Sequence, residues 1–313
     1  MLFVIMNILV ACTAFQPEEV AAEPIRVEFT QWWGDYTLII AQEKGFFEKY
    51  GVVVEPVYYE VFSDTYPDLA SGQIDGALIA VGDIININRS ANMKILAISD
   101  DGSFMSIMAR PEINTVEDLK GKTIGVLIGT QYELMVSEML RSANMEADDV
   151  NVVAMNPEDA SVALRNNRVQ AVFTWEPFLS DAILDGNKVI YPTDRSLRLF
   201  PDMIVFRESL VEERPDDIKA FLQAWFEAVD YRLQNPQETR SIVANYLGID
   251  IEKVQPDDNL KILTLDDNKA FFNIENENSV YAIAKITSEY LISIGAVAQQ
   301  IDPLELLDPS YLP

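Results

Sequence analysis

From Ile25 onward, short apolar runs alternate with amphipathic stretches. "IRVEFTQW" alternates like a strand, "DYTLIIAQEKGFFEKYG" has helical spacing and stops at Gly51, and "VVVEPVYYE" is strand-like again. Pro56 weakens the centre of that strand, because proline cannot donate to a ladder. "DTYPDLASGQ" then predicts a short helix and "IDGALIAV" a strand. The order returns from Lys122: "KTIGVLIG" as strand, "TQYELMVSEMLRSAN" as helix with Thr130 and Glu133 as a capping box, "VNVVAM" as strand, "PEDASVALRNNR" as helix and "VQAVFTW" as strand. Alternation of this kind predicts βαβ units and largely parallel sheets, an α/β fold.

The two halves keep a constant register. Gly34 and Gly129, Leu69 and Leu164, and Ala80 and Trp175 are each separated by the same 95 positions. Identities are few, so the repeat is one of structure. Two βαβ-type lobes in one chain enclose a cleft, and ligands of open α/β sheets bind beyond the carboxyl ends of the strands. "KILAISDDGSFMSIMARPEI" reads as two strands around a turn that leave the first lobe near Arg110 and Pro111. "TVEDLKGK" opens the second lobe, with Thr115 as N-cap and Gly121 as stop, and "PDMIVFRESL" is the returning strand. The expected domains are residues 25–109 with 204–313, including a C-terminal helical cap, and residues 110–203, joined by a two-strand hinge.

Composition narrows the function more by what is missing. Among 313 residues there is no histidine and one cysteine, which removes histidine-activated nucleophiles, histidine metal sites and an intrachain disulfide. No catalytic residue, cofactor or metal is expected. A net charge of −27 argues against nucleic acid and against anionic membrane surfaces as partners. The apolar N-terminus ends in Leu9-Val10-Ala11-Cys12, a pattern like a bacterial lipobox in which Cys12 would carry the lipid, although it lacks a basic n-region. A trimmed secretory signal or a frayed apolar N-terminus are the alternatives. Residues 1–24 are thus expected to be signal and tether, and the remainder to act outside the cytoplasm as a monomer.

If the lobes face each other, their strand ends supply the candidate site. Trp32, Trp33, Asp35 and Tyr36 flank Gly34 at the first strand–helix junction; one tryptophan is expected to face the cleft and the other the core, since neighbours on a strand point oppositely. Ser63 begins the next loop, and Asp83 and Asp101 follow later strand ends. In the second lobe, the free N–H groups of Gly129, Thr130 and Gln131 could form an anion site at a helix start. The apolar run "AVFTWEPF" stops at Pro177, so Trp175 and Glu176 should meet the ligand. Each of these has a plainer reading as a cap or core residue. Acids mixed with aromatics suit an amine, a quaternary ammonium or an amino-substituted heterocycle, unless Arg110, Arg195 or Arg198 points inward.

The stretches "QWWGDYTLIIAQEKGFFEKYGVVVE", "LASGQIDGALIAVGD", "TVEDLKGKTIGV" and "TWEPFLS" together resemble the solute-binding lipoproteins of ABC importers in the nitrate/sulfonate/taurine and thiamine-precursor group, the NMT1/THI5-like binding proteins. The similarity covers nearly all of the chain after Ile25. It implies a type II periplasmic-binding-protein fold that closes on a small molecule and delivers it to a permease with its ATPase. It leaves the ligand open. A sensory module, or an enzyme acting on a pyrimidine on the same fold, are the rival readings.

Overall fold

The computed structural model describes residues 23–88, 90–103, 105–192, 200–254 and 260–313; Cys12, Arg195 and Arg198 lie outside them. Two five-stranded sheets organise the chain. The first contains β1 (Ile25–Phe29), β2 (Val54–Tyr58), β3 (Gly76–Ala80), β4 (Met93–Asp100) and, from late in the chain, β10 (Asp202–Arg207). The second contains β5 (Ser106–Ala109), β6 (Thr123–Val126), β7 (Asn151–Ala154), β8 (Ala171–Thr174) and β9 (Lys188–Tyr191). Their orders, β2-β1-β3-β10-β4 and β7-β6-β8-β5-β9, are the same pattern. In each, the first three strands run parallel and the fourth is antiparallel to both neighbours.

The 95-residue register is visible element by element. The 3-10 turns Phe62–Asp64 and Pro157–Asp159, the helices that begin at Thr65 and Ala160, and the strands that begin at Gly76 and Ala171 all keep that offset. Pro56 is tolerated because β2 is an edge strand of its sheet. One expectation changes. Residues 106–109 do not form a hairpin with β4; they pair with β8 and β9 in the second sheet. The first passage between sheets therefore lies at residues 101–105, earlier than Arg110. The return ends at Asp202, which pairs in register with Asp100, so both passages meet the first sheet at one place. The strand β9 carries no alternation strong enough to have been expected.

The first sheet is covered by the long helix Pro215–Gln234, whose inward stripe is Ile218, Phe221, Leu222, Trp225, Val229 and Arg232. Phe221 stacks on Phe47 with ring centroids 5.2 Å apart and meets Phe206 edge-on at 5.0 Å. Arg232 is buried at the far end, where it donates to Thr37 Oγ1 at 3.0 Å and to the Trp33 carbonyl at 2.8 Å. Trp33 is thereby fixed in the core. Tyr36 belongs to the same side: its hydroxyl donates to the Gln31 carbonyl at 3.1 Å, and it lines a small gap beside Arg232, Thr239 and Val243. It does not reach the cleft.

Edge strand β4 is closed off by the C-terminal segment. Leu263 N–H donates to the Ser99 carbonyl at 2.9 Å, and Asp308 N–H to that of Ile95 at 2.9 Å. Between them, fully buried Asn268 accepts from Ile98 N–H at 2.7 Å and donates back to the Ile98 carbonyl at 3.0 Å. Its amide replaces a neighbouring strand for that residue. Asn268→Ala leaves both groups buried without partners and should lower stability by about 1–3 kcal/mol, read as a lower urea midpoint with an unchanged slope.

Candidate functional site

Between the sheets lies a cavity of about 20 Å³ lined by Thr30, Trp32, Asp35, Phe62, Leu78, Met105, Tyr132, Trp175 and Asp202. That volume is close to one water molecule, so the lobes are closed upon each other. From the first lobe come Trp32 and Phe62, from the second Tyr132 and Trp175. Phe62 and Trp175 meet edge to face across the cleft at 5.4 Å, and Tyr132 lies 5.5 Å from Trp175.

Of the two adjacent tryptophans, Trp32 faces this cavity and Trp33 does not. The Trp32 indole donates to Asp100 Oδ2 at 3.0 Å, which is possible only because residue 34 is glycine: a Cβ there would sit 1.9 Å from the same oxygen. Asp35 is buried and takes two hydrogen bonds on one oxygen, from Thr30 N–H at 2.8 Å and Thr30 Oγ1 at 2.9 Å. Its other oxygen, Oδ1, is buried without a hydrogen-bond partner.

The second-lobe loop 129–131 does different work from that expected. Gly129 N–H is taken by the Glu133 carboxylate, and Thr130 Oγ1 accepts from Tyr132 N–H at 3.2 Å while donating to the Leu127 carbonyl at 2.6 Å. The Thr130–Glu133 pair thus caps the helix Tyr132–Ser142 displaced by one residue from a box, and of the three expected amides it is Gly129 N–H that a side chain engages. Gln131 instead reaches across: its Oε1 accepts from Gly82 N–H at 2.8 Å. Asn86 Nδ2 returns the contact by donating to the Gly129 carbonyl at 3.0 Å. Asp83 completes this latch, accepting from Tyr66 Oη at 2.6 Å and Tyr132 Oη at 2.9 Å. Phe62 N–H adds a further crossing to Glu158 Oε1 at 3.1 Å.

Three expected residues lie elsewhere. Glu176 turns onto its own helix, Phe178–Leu184, accepting from Ser180 N–H at 3.1 Å and Ser180 Oγ at 3.0 Å. It thereby holds the first turn of a helix whose N-cap position is Pro177. Asp101 accepts from Ser103 Oγ and from Lys261 N–H, tying the passage between sheets to the C-terminal segment. Ser63 is half-buried, and its neighbour Phe62 is the residue of that turn that lines the cavity.

Asp202 is the main addition. A strand's carboxyl end was the guide, but β10 is antiparallel, so its first residue enters the sheet at the cleft end. With Glu28, Asp35, Asp83 and Asp100 it makes five buried carboxyls. Among the described residues no lysine or arginine forms an ion pair with any of them. Burial pushes Asp35 well above the carboxylate range, with help from Glu28 and Asp100, and does the same to Asp202 with help from Asp100. Glu28 is raised to about 8 by burial and by Asp83, against the Leu78 N–H that favours its anion. Burial raises Asp83 and Asp100 to about 6 in spite of the donors around them.

A family model for "NMT1/THI5 like" proteins matches residues 35–239, well over half of the chain. The chain belongs to the NMT1/THI5-like family. A protein of Brucella abortus (strain 2308) named as a binding protein is 27% identical over 298 residues, 92% of this chain and 91% of its own. Two solved structures share the fold. The ligand-binding component of an ABC-type import system from Staphylococcus aureus, solved with zinc bound, has a TM-score of 0.76 at 15% identity, covering 93% of this chain and 98% of that one. The periplasmic aliphatic sulphonate binding protein of Escherichia coli has a TM-score of 0.72 at 19% identity, covering 91% and 92%. The family's two-lobed fold is thus this chain's fold. Among the described residues no acidic or cysteine cluster is arranged to hold a metal ion, and no helix is long and apolar enough to cross a membrane.

The buried acids carry a pH signature. A carboxyl whose folded pKa exceeds its unfolded value keeps, when folded, a proton that the unfolded chain has lost. The folded state therefore binds more protons, and stability should rise as pH falls from about 8, where Glu28 titrates, through about 6, where Asp83 and Asp100 do. Urea midpoints should be higher at acidic than at basic pH within that window. Glu28→Gln should flatten the dependence by raising the midpoint at the basic end.

Proposed function

We propose that this NMT1/THI5-like chain is the extracytoplasmic solute-binding component of an ABC importer, which closes two lobes around a small polar organic molecule and hands it to a permease and its ATPase. The observation that carries the reading is the cleft itself: aromatic rings from both lobes face each other over the strand ends, and a hydrogen-bonded latch joins the lobes beside them. Binding and closure are then one event, because a ligand that holds the rings also holds the latch. The ends of β4 and β10, where Asp100 pairs with Asp202, mark the place of the hinge, with β5 moving as part of the second lobe. Cys12 is the proposed lipid attachment site, leaving residues 13–24 as a tether on the outer face of the membrane.

Two substitutions separate contact from closure. Trp175→Ala removes a ring that the ligand would stack on and should weaken binding by about tenfold or more by calorimetry, with an unchanged far-UV spectrum. An unaltered affinity would take Trp175 out of the site. Gly82→Ala acts on the latch: a Cβ there would lie 2.5 Å from Gln131 Oε1, so the backbones could no longer approach. Alanine suits the first turn of the helix Val81–Ile87, so the unliganded protein should fold normally. Small-angle scattering should show that bound ligand no longer compacts this variant as it does the parent.

A further inference from the structure

We infer that the cleft is built for a small organic cation, a molecule carrying at least one N–H on a protonated amine, amidinium or guanidinium group. The inference rests on the binding-protein reading above and adds the chemical class of its ligand.

The first argument is a count of donors and acceptors at the cavity wall. The side-chain donors of Thr30, Trp32 and Tyr132 are all directed at carboxylates: Thr30 Oγ1 to Asp35, Trp32 Nε1 to Asp100, and Tyr132 Oη to Asp83. Behind them, Gly82 N–H is committed to Gln131 Oε1 and Gly129 N–H to Glu133. An incoming oxyanion would have to displace these bonds or rely on the Trp175 indole N–H, the lining side-chain donor without a hydrogen bond among the described residues. Acceptors are in the opposite condition. Asp35 lines the cavity with a fully buried Oδ1 that has no partner, and Asp202 lines the same cavity. A buried carboxylate oxygen left unmatched is costly, and an N–H donor from the ligand removes that cost.

The second argument is charge. No lysine or arginine among the described residues pairs with the five carboxyls at and behind the cavity wall, so no cation is placed there to hold an anion. Burial keeps Asp35 and Asp202 in their neutral forms in the empty cleft, and a bound cation would favour their ionisation. The rest of the lining agrees. Trp32, Phe62, Tyr132 and Trp175 present ring surface, whose quadrupole attracts a cation held against it. The edge-to-face pair Phe62–Trp175 is the contact that an entering ligand would part, one ring remaining on each lobe.

The test uses the full chain and pairs of probes similar in shape but opposite in charge: guanidinium with nitrate, benzamidine with benzoate, and putrescine with succinate. Calorimetry measures affinity, and small-angle scattering measures compaction. The inference expects the cation of a pair to bind at least tenfold tighter than its partner, and Asp35→Asn or Asp202→Asn to erase most of that preference. Two variants are used because Asp35 also holds the Thr30 turn. Preference for the anion, indifference to charge, binding of no probe, or a cation preference unchanged in both variants overturns it. Anion binding with compaction would leave the importer reading intact while refuting the cation. Binding of any probe without compaction counts against the importer reading instead.

Discussion

Glu28, Asp35, Asp83, Asp100 and Asp202 are buried together at the cleft end of the first sheet, and the local structure is arranged around them. A carboxyl taken out of water needs hydrogen-bond donors, a proton or a counter-charge. No ion pair supplies the last among the described residues, so donors are drawn in from every side. Thr30 folds back on Asp35, Trp32 and Ser99 turn to Asp100, Tyr66 and Tyr132 turn to Asp83, and the Leu78 amide turns to Glu28. Gly34 is part of the same arrangement, since any side chain there would collide with Asp100. The aromatic and hydroxyl residues of the cleft are thus placed by the acids as much as by a ligand.

Topology explains why acids and rings converge there. In each sheet the fourth strand runs against the others, so its first residue arrives where its neighbours' last residues leave. Asp202 opens β10 in that way, and Met105 immediately precedes β5 in the second sheet; both line the cavity. A cleft built only from the carboxyl ends of parallel strands would lack both. The antiparallel strand is also the one adjacent to a passage between the lobes, which puts the hinge next to the site.

The fold was legible because it rests on periodicity that a single sequence carries. Alternating runs and a fixed 95-residue offset located the repeated units, and the offset held to the residue at the turns Phe62–Asp64 and Pro157–Asp159. The site was legible in part, and the misses have a common cause. Trp32, Asp35 and Trp175, expected from the strand ends, line the cavity because those ends project into the cleft. Glu176 and Thr130 bond to the first turns of helices, and in a sequence a polar residue before a helix looks the same whether it meets a ligand or the helix. Asp202 was missed because strand direction within a sheet is set by pairing partners that lie about a hundred residues away. At the turn Phe62–Asp64 it is the ring of Phe62 and not the hydroxyl of Ser63 that lines the cavity, and the sequence of a turn carries no sign of which neighbour faces inward.

The two lobes contribute unequally, and this bears on how recognition would proceed. The five acids grouped at the cleft end belong to the first sheet or the turns at its end, whereas the second lobe brings Trp175, Tyr132 and the Gln131 arm of the latch, its buried Glu176 bonding to its own helix. With the lobes apart, a ligand would meet the acids first, so charge would be read before closure. Only on closing would Trp175 cover it and Tyr132 reach Asp83. That bond is the point of coupling. Asp83 accepts Tyr66 from its own lobe on one oxygen and Tyr132 from the other lobe on the second, so lobe closure supplies the donor for that second oxygen. A cation beside the acids would favour their charged forms, which accept these hydrogen bonds most strongly. Selection of charge in one lobe would then strengthen the latch to the other, without any separate device to connect them.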